Sequence, residues 1–297
     1  MDVTFASLVV FLCVGITVGI LSGLLGVGGG TILVPVFKLA FGMPALGATA
    51  TSMFTIIPTS ITGVVTHLRR GSCVLRFGLA AGIGGALTSP VGVWLASISS
   101  DWMTMVAAAA VIAYSSMTML TKAFGLLKRE RAAAHGPTED MTDVAADAVR
   151  AERDAVVRAA EAECVDEAAS AYVVPGGARP IACAGAIGLV AGVLSGYVGL
   201  GGGFLIIPLF MQLLGMPMKM TSGTSLISVL LLAIPGTVMQ ALLGNVNWVV
   251  GVCVAAGAIP GAVIGSKLLK HVPELALRFI FGSFLLVASV LLVIDQL

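Results

Sequence analysis

The chain has 297 residues, of which 58% belong to the set Ala, Val, Ile, Leu, Met, Phe, Trp, Tyr and Cys and only 10% are charged; its mean hydropathy is +1.06, and a charged fraction so far below the roughly 25% of soluble domains excludes an ordinary soluble protein. Nineteen of the 31 charged side chains fall between Lys122 and Arg179, leaving 12 for the other 239 residues, so two apolar blocks flank one polar segment. With a net charge of +1 and no basic stripe, no nucleic-acid partner is expected.

A helix crossing a hydrocarbon core of about 30 Å needs about 20 mostly apolar residues. The first such stretch covers about 5–25; no Lys or Arg precedes it, so it reads as a retained span and not as a signal peptide. Further long stretches lie at 47–66, 77–97 and 103–121, then at 181–200, 220–242, 249–266 and 276–294. Two shorter ones, 31–41 and 204–214, follow glycine-rich runs and contain Pro35 and Pro208, which suits short broken or re-entrant helices. The expected fold is therefore an all-α polytopic membrane protein with eight long transmembrane helices and two short Gly/Pro helices. Its parts are a membrane repeat over 1–121, a charged, partly helical cytoplasmic linker over 122–179, and a second membrane repeat over 180–297.

Lys and Arg in short loops mark the cytoplasmic side. They cluster at Arg69, Arg70 and Arg76 (with His67), at Lys122, Lys128, Arg129 and Arg131, and at Lys267, Lys270 and Arg278. The loops around Asp101-Trp102 and Asn245 to Trp248 carry none and belong outside, which collects Trp94, Trp102 and Trp248 near the outer boundary.

At an offset of 173 residues the two blocks match without a gap. From 15 to 52, 16 of 38 positions are identical, including Ser22-Gly23 with Ser195-Gly196, Pro35 with Pro208, Gly42-Met43-Pro44 with Gly215-Met216-Pro217, and Thr51-Ser52 with Thr224-Ser225. The loop around Arg69 and Arg70 is cytoplasmic by charge while its repeat partner around Gly244 and Asn245 carries none and reads as external, so the two homologous repeats are expected to be inverted.

Gly15, Gly19 and Gly23, and their copies Gly188, Gly192 and Gly196, put small residues on one helical face and read as packing positions. The clusters Gly26–Gly30 and Gly199–Gly203 cannot be stable helix interior, since each glycine costs about 1 kcal/mol relative to alanine. Broken backbone inside a membrane must line a polar cavity or be satisfied by protein, and helix N-termini opening at Thr31 and Phe204 would favour an anion there. The substrate-binding candidates are Gly28, Gly29, Gly30, Gly201, Gly202 and Gly203, with the hydroxyls of Thr51, Ser52, Thr224 and Ser225 as donors. Back-bonding of those hydroxyls to the preceding helical turn is the competing reading. Lys38 and Lys219 read as snorkelling cations.

Outside 122–179 the only acids are Asp2, Asp101, Glu274 and Asp295, at predicted span ends, which disfavours a carboxylate proton relay or cation site. The five cysteines and three histidines are scattered, so no metal site, disulfide framework or cofactor is expected, and no nucleophile–base pair suggests an enzyme. Asp147, Arg150, Asp154 and Arg158 favour a solvated helix within the linker.

The paired segments L-S-G-L-L-G-V-G-G-G-T-I-L-V-P-V and L-S-G-Y-V-G-L-G-G-G-F-L-I-I-P-L resemble the duplicated signature of the TauE/SafE, or sulfite exporter, family of membrane transporters. That resemblance implies transport of a sulfur-containing anion, sulfite or a small organosulfonate, across a prokaryotic inner membrane; the long charged insert departs from the compact family pattern. The resulting expectation is a multi-pass secondary transporter working by alternating access, with an anion channel as the alternative. The small anionic substrate and the lipid bilayer are the partners, and assembly as a homo-oligomer is left open.

Overall fold

A computed structural model of the chain describes residues 5–69, 72–134, 177–268, 272 and 274–294. Among these there are helices and no strands: α1 Phe5–Leu25; α2 Gly30–Pro35, continued by a π-helical turn Val36–Ala40; α3 Ala45–Arg69; α4 Leu75–Ile98; α5 Asp101–Ala134; α6 Ala178–Val198; α7 Gly203–Leu213; α8 Met218–Leu242; α9 Trp248–Leu268; and α10 Glu274–Ile294. Seven are long and apolar enough to cross a membrane: α1, α3, α4, α5, α6, α8 and α9. Gly30–Ala40, Gly203–Leu213 and the apolar part of α10, Leu275–Leu291, are shorter. Most of the linker, with its expected helix, lies outside the described residues, as do Arg70, Lys270 and Leu297.

The duplication read in the sequence is carried into the helices. Each of α6 to α10 starts 173 residues after α1 to α5 respectively. One difference is local: α7 is a single α-helix through Pro208, whereas the equivalent stretch of the first copy turns π-helical directly after Pro35. Proline cannot donate the backbone hydrogen bond of a regular turn, and a wider turn is one way to absorb that loss.

The two copies interlock through glycine. A Cβ on Gly15, Gly19 or Gly23 of α1 would strike backbone of Val254, Ala258 or Ala262 of α9, and one on Gly188, Gly192 or Gly196 of α6 would strike Ala81, Gly85 or Ser89 of α4. Each contact is reproduced by the other copy 173 positions away. Numbering rises together along both seams, so α1 runs parallel to α9 and α6 parallel to α4. Small residues let these backbones touch where lipid supplies no hydrophobic drive between helices.

Elements that pack on their own copies run the other way. Gly63 meets Leu226 and Gly236 meets Met53, which sets α3 antiparallel to α8. Ser116 donates to Gly282 O (2.7 Å) and Ser289 to Ala109 O (3.0 Å), which sets α5 antiparallel to α10. Contacts that recur after the copies are exchanged are the mark of a two-fold relation. Arg69 and Lys267, at the C-terminal ends of α3 and α9, line one groove, and Phe124 of α5 meets Phe279 of α10 edge-to-face at 5.3 Å. Trp94, Trp102 and Trp248 are more than half exposed, at the opposite ends of α4, α5 and α9.

Candidate functional site

The glycine breaks lie at the centre of this arrangement. A Cβ on Gly30 would meet Leu200 O and one on Gly203 would meet Val27, so the two breaks stand back to back. Gly28, Gly30 and Gly201 all face Ile56, and Gly28 and Gly201 also face Val229. Ile56 and Val229 are each the twelfth residue of a 25-residue helix, so the meeting point is at mid-height of α3 and α8.

At each break the chain doubles back on itself. Gly29 caps α2 at φ 85° and Gly202 caps α7 at φ 69°, left-handed values that a residue with a Cβ adopts only at a cost of about 1–2 kcal/mol. The helices start at Gly30 and Gly203, one residue before the predicted Thr31 and Phe204. Reversal brings Gly29 beside Val18 and Ser22 of α1, and Gly202 beside Ala191 and Ser195 of α6. At the starts of α2 and α7, Gly203 N–H donates to Gly201 O (2.9 Å), and Ile32 and Leu205 donate to the capping Gly29 and Gly202 carbonyls (3.1 and 3.0 Å), while the positive ends of both helix dipoles emerge at the protein centre.

Thr51, Ser52, Thr224 and Ser225 are buried, and they hold the copies together. Ser52 donates to Gly199 O (2.6 Å) and Ser225 to Gly26 O (2.7 Å), each securing the break of the opposite copy. Thr51 accepts from Asn247 N–H (3.1 Å) and Thr224 from Val74 N–H (2.9 Å), while Thr224 also donates to Met220 O. Ser52, Thr224 and Ser225 thus already give their protons to carbonyls, both across the copies and within their own helices.

Thr51 is seen only as an acceptor, and further hydroxyls without such a commitment lie beside the breaks. The Oγ atoms of Ser22 and Ser195 are buried with no hydrogen-bond partner, and they are equivalent positions of the two copies. Ser60 Oγ is in the same condition and lies beside Gly28; its copy is Ala233. Sequence reasoning passed over Ser22 and Ser195 because they sit within the Gly-x-x-x-Gly face. The available signal was the doubled Ser-Gly pair, placed seven residues before each capping glycine.

The electrostatics are simple. Residues 3–100 and 180–273, which include both breaks and the helices around them, contain no Asp or Glu. Lys38, in the π-helical turn after Pro35, and Lys219, in the first turn of α8, are half-buried. Among the described residues no three His, Cys, Asp or Glu side chains converge to hold a metal ion. In the α3–α4 turn, burial pushes the Cys73 thiol above its usual range, which keeps it protonated and a poor nucleophile at neutral pH.

Comparison with known proteins assigns the scaffold. The family profile described as Sulfite exporter TauE/SafE matches residues 11–292. The chain belongs to the TauE/SafE sulfite exporter family. Relatives in Bacillus subtilis (strain 168) include the Probable membrane transporter protein YunE, 24% identical over 271 residues that cover 88% of this chain and 87% of that protein. The Probable membrane transporter protein YdhB is 26% identical, covering 88% and 89%. The Probable membrane transporter protein YjnA is 30% identical over a shorter region, 36% of this chain and 42% of that protein. No solved structure matches. Membership makes this chain a multi-pass membrane transporter.

Proposed function

We propose that this TauE/SafE protein is a secondary transporter that exports a sulfur-containing anion, sulfite or a small organosulfonate, across the inner membrane. In this reading its two copies are inverted halves that rock against each other around the glycine breaks. What supports inversion is the antiparallel run of α3 against α8 and of α5 against α10, the arrangement expected of copies that enter the bilayer in opposite senses. In such transporters, helix N-termini at the midplane receive anionic groups.

The observation that carries the reading is the pair of capped helix starts at mid-height, each beside a buried hydroxyl without an acceptor, in a stretch of chain free of carboxylates. An oxyanion has lone pairs for the N–H groups of α2 and α7 and for the Ser22 and Ser195 protons. Charge-assisted bonds of this kind are about twice as strong as neutral ones. Gly28 to Gly30 and Gly201 to Gly203 let the backbone come close. Thr51, Ser52, Thr224 and Ser225 then act as the frame that fixes the breaks to the opposite half.

An interior-negative potential favours outward movement of an anion by about 2.3 kcal/mol per charge per 100 mV, so export of a dianion needs no coupling ion. The test is flux in reconstituted vesicles against a panel of sulfur oxyanions, organosulfonates and carboxylates. Expected is saturable efflux of a sulfur anion that follows membrane potential. Concentrative transport driven at zero potential by a proton or sodium gradient alone would overturn the uncoupled scheme, and single-channel currents would replace the transporter with a channel.

A further inference from the structure

A groove of about 490 Å³ runs between α3 and α9, lined by Ile61, Thr62, Val65, Thr66 and Arg69 on one side and Val263 and Lys267 on the other. It lies on the outside of the helical assembly, since Ile61 and Val65 are 46% and 43% exposed. In a membrane protein that exposure faces lipid. The two threonines turn their protons inward, Thr62 to Pro58 O (2.9 Å) and Thr66 to Thr62 O (2.8 Å). The groove is therefore an apolar channel closed at one end by two cations. From Ile61 to Arg69 is eight residues, about 12 Å of helix, most of the depth of one leaflet.

The duplication supplies an internal control. The same pair of elements in exchanged copies is α8 with α4, where the residues in place of Arg69 and Lys267 are Leu242 and Trp94, both largely exposed. One backbone arrangement thus presents two positive heads on one membrane face and a purely apolar rim on the other. The cytoplasmic bias of Lys and Arg explains why the cations lie on this face and not on the other; what the groove adds is that two of them, from different helices, line one apolar cleft.

We propose that the α3–α9 groove binds an anionic phospholipid of the leaflet at the Arg69 end, the phosphate held between Arg69 and Lys267 and an acyl chain lying along Ile61, Val65 and Val263. Basic pockets between transmembrane helices on the cytoplasmic side are suited to anionic headgroups. A guanidinium can grip phosphate oxygens in a bidentate manner while the ammonium adds a point charge. A zwitterionic choline headgroup brings its own cation toward the pair and loses most of this gain. The proposal does not depend on which anion the protein transports.

The test uses the full-length protein purified in detergent and titrated with mixed micelles of phosphatidylglycerol or phosphatidylcholine, with bound lipid counted by native mass spectrometry. Phosphatidylglycerol is expected to be retained roughly tenfold or more over phosphatidylcholine, with the preference lost in Arg69→Gln/Lys267→Gln and kept in Leu242→Ala/Trp94→Ala. Because charge removal can also disturb insertion, Val65→Trp fills the groove with both cations in place, and it should release the lipid equally. Equal retention of the two lipids, or a preference unchanged in both the charge variant and Val65→Trp, would overturn the proposal. So would inorganic phosphate or sulfite displacing the lipid at equal concentration, which would make the groove a site for a small anion.

Discussion

Gly15, Gly19 and Gly23 stand inside α1 with the backbone of α9 against them, whereas Gly28 and Gly29, a few residues on, are outside any helix at φ 80° and 85°. At the seam, what matters is distance: there is no room for a methyl group because the neighbour is main chain and cannot turn away. At Gly29 and Gly202 of the breaks, what matters is the dihedral angle. A Cβ on Gly29 would lie 3.3 Å from Val18 and 3.5 Å from Ser22, and one on Gly202 would lie 3.2 Å from Leu232 and 3.3 Å from Ser195, all side chains able to give slightly. Glycine thus serves assembly in one place and a backbone turn in the other, and substitutions can tell the two apart.

The largest effect is expected at the seam. Gly19→Leu, or Gly192→Leu on the other seam, forces α1 from α9 or α6 from α4, and overpacking against backbone costs about 3 kcal/mol or more. Little monodisperse protein should survive detergent extraction and size-exclusion chromatography. Normal yield would show that the seams are not the structural joint described.

Next comes the break. Gly29→Ala with Gly202→Ala should cost about 1–2 kcal/mol each in stability yet leave protein that inserts and purifies. Substrate affinity should fall roughly 10- to 100-fold, as expected when several charge-assisted hydrogen bonds are misaligned. Affinity and flux unchanged in well-behaved protein would move the substrate site elsewhere.

Smaller, and diagnostic in sign, is the effect of Ser22→Ala or Ser195→Ala. Losing a donor to an anion should weaken binding roughly tenfold, while thermal stability holds or rises because a buried unsatisfied hydroxyl is gone. A purely structural serine would lower stability and leave affinity alone. The smallest effect belongs to Gly125→Ala in α5, where a Cβ meets nothing within 4 Å. There the helix should gain up to about 1 kcal/mol, read as a slightly higher melting temperature with unchanged flux.

Hydropathy carried the sequence reading a long way, because a bilayer demands long apolar helices and little else satisfies it. The span predicted at 47–66 is Ala45–Arg69 and that at 249–266 is Trp248–Leu268. Hydropathy fails where the helix outlasts the apolar run: α5 was expected to end near residue 121 and continues to Ala134, since Lys, Arg, Glu, Leu and Ala are all good helix formers out in water. The small faces of α1 and α6 were legible as packing surfaces, but their partners were not. A glycine pattern says that something approaches closely and is silent on what. The candidate hydroxyls illustrate the same limit. Thr51, Ser52, Thr224 and Ser225 were visible as polar residues near helix starts, and only the fold reveals that their bonds reach across to Gly199, Gly26, Val74 and Asn247. Ser22 and Ser195 become noticeable once the chain is seen to double back.

The parallel seam between α1 and α9 also dictates an order of events during biosynthesis. Val254, the residue that meets Gly15, leaves the ribosome about 240 residues later, a delay of roughly 10–50 s at ordinary elongation rates. Throughout that interval α1 sits in the bilayer with its small-residue face against lipid or an insertion factor, and α4 waits likewise for α6. The nascent first half has no finished tertiary structure to wait in. A chain released after residue 134 should therefore enter the membrane and then be recognised by quality-control proteases as an orphan, however well each of its helices inserts.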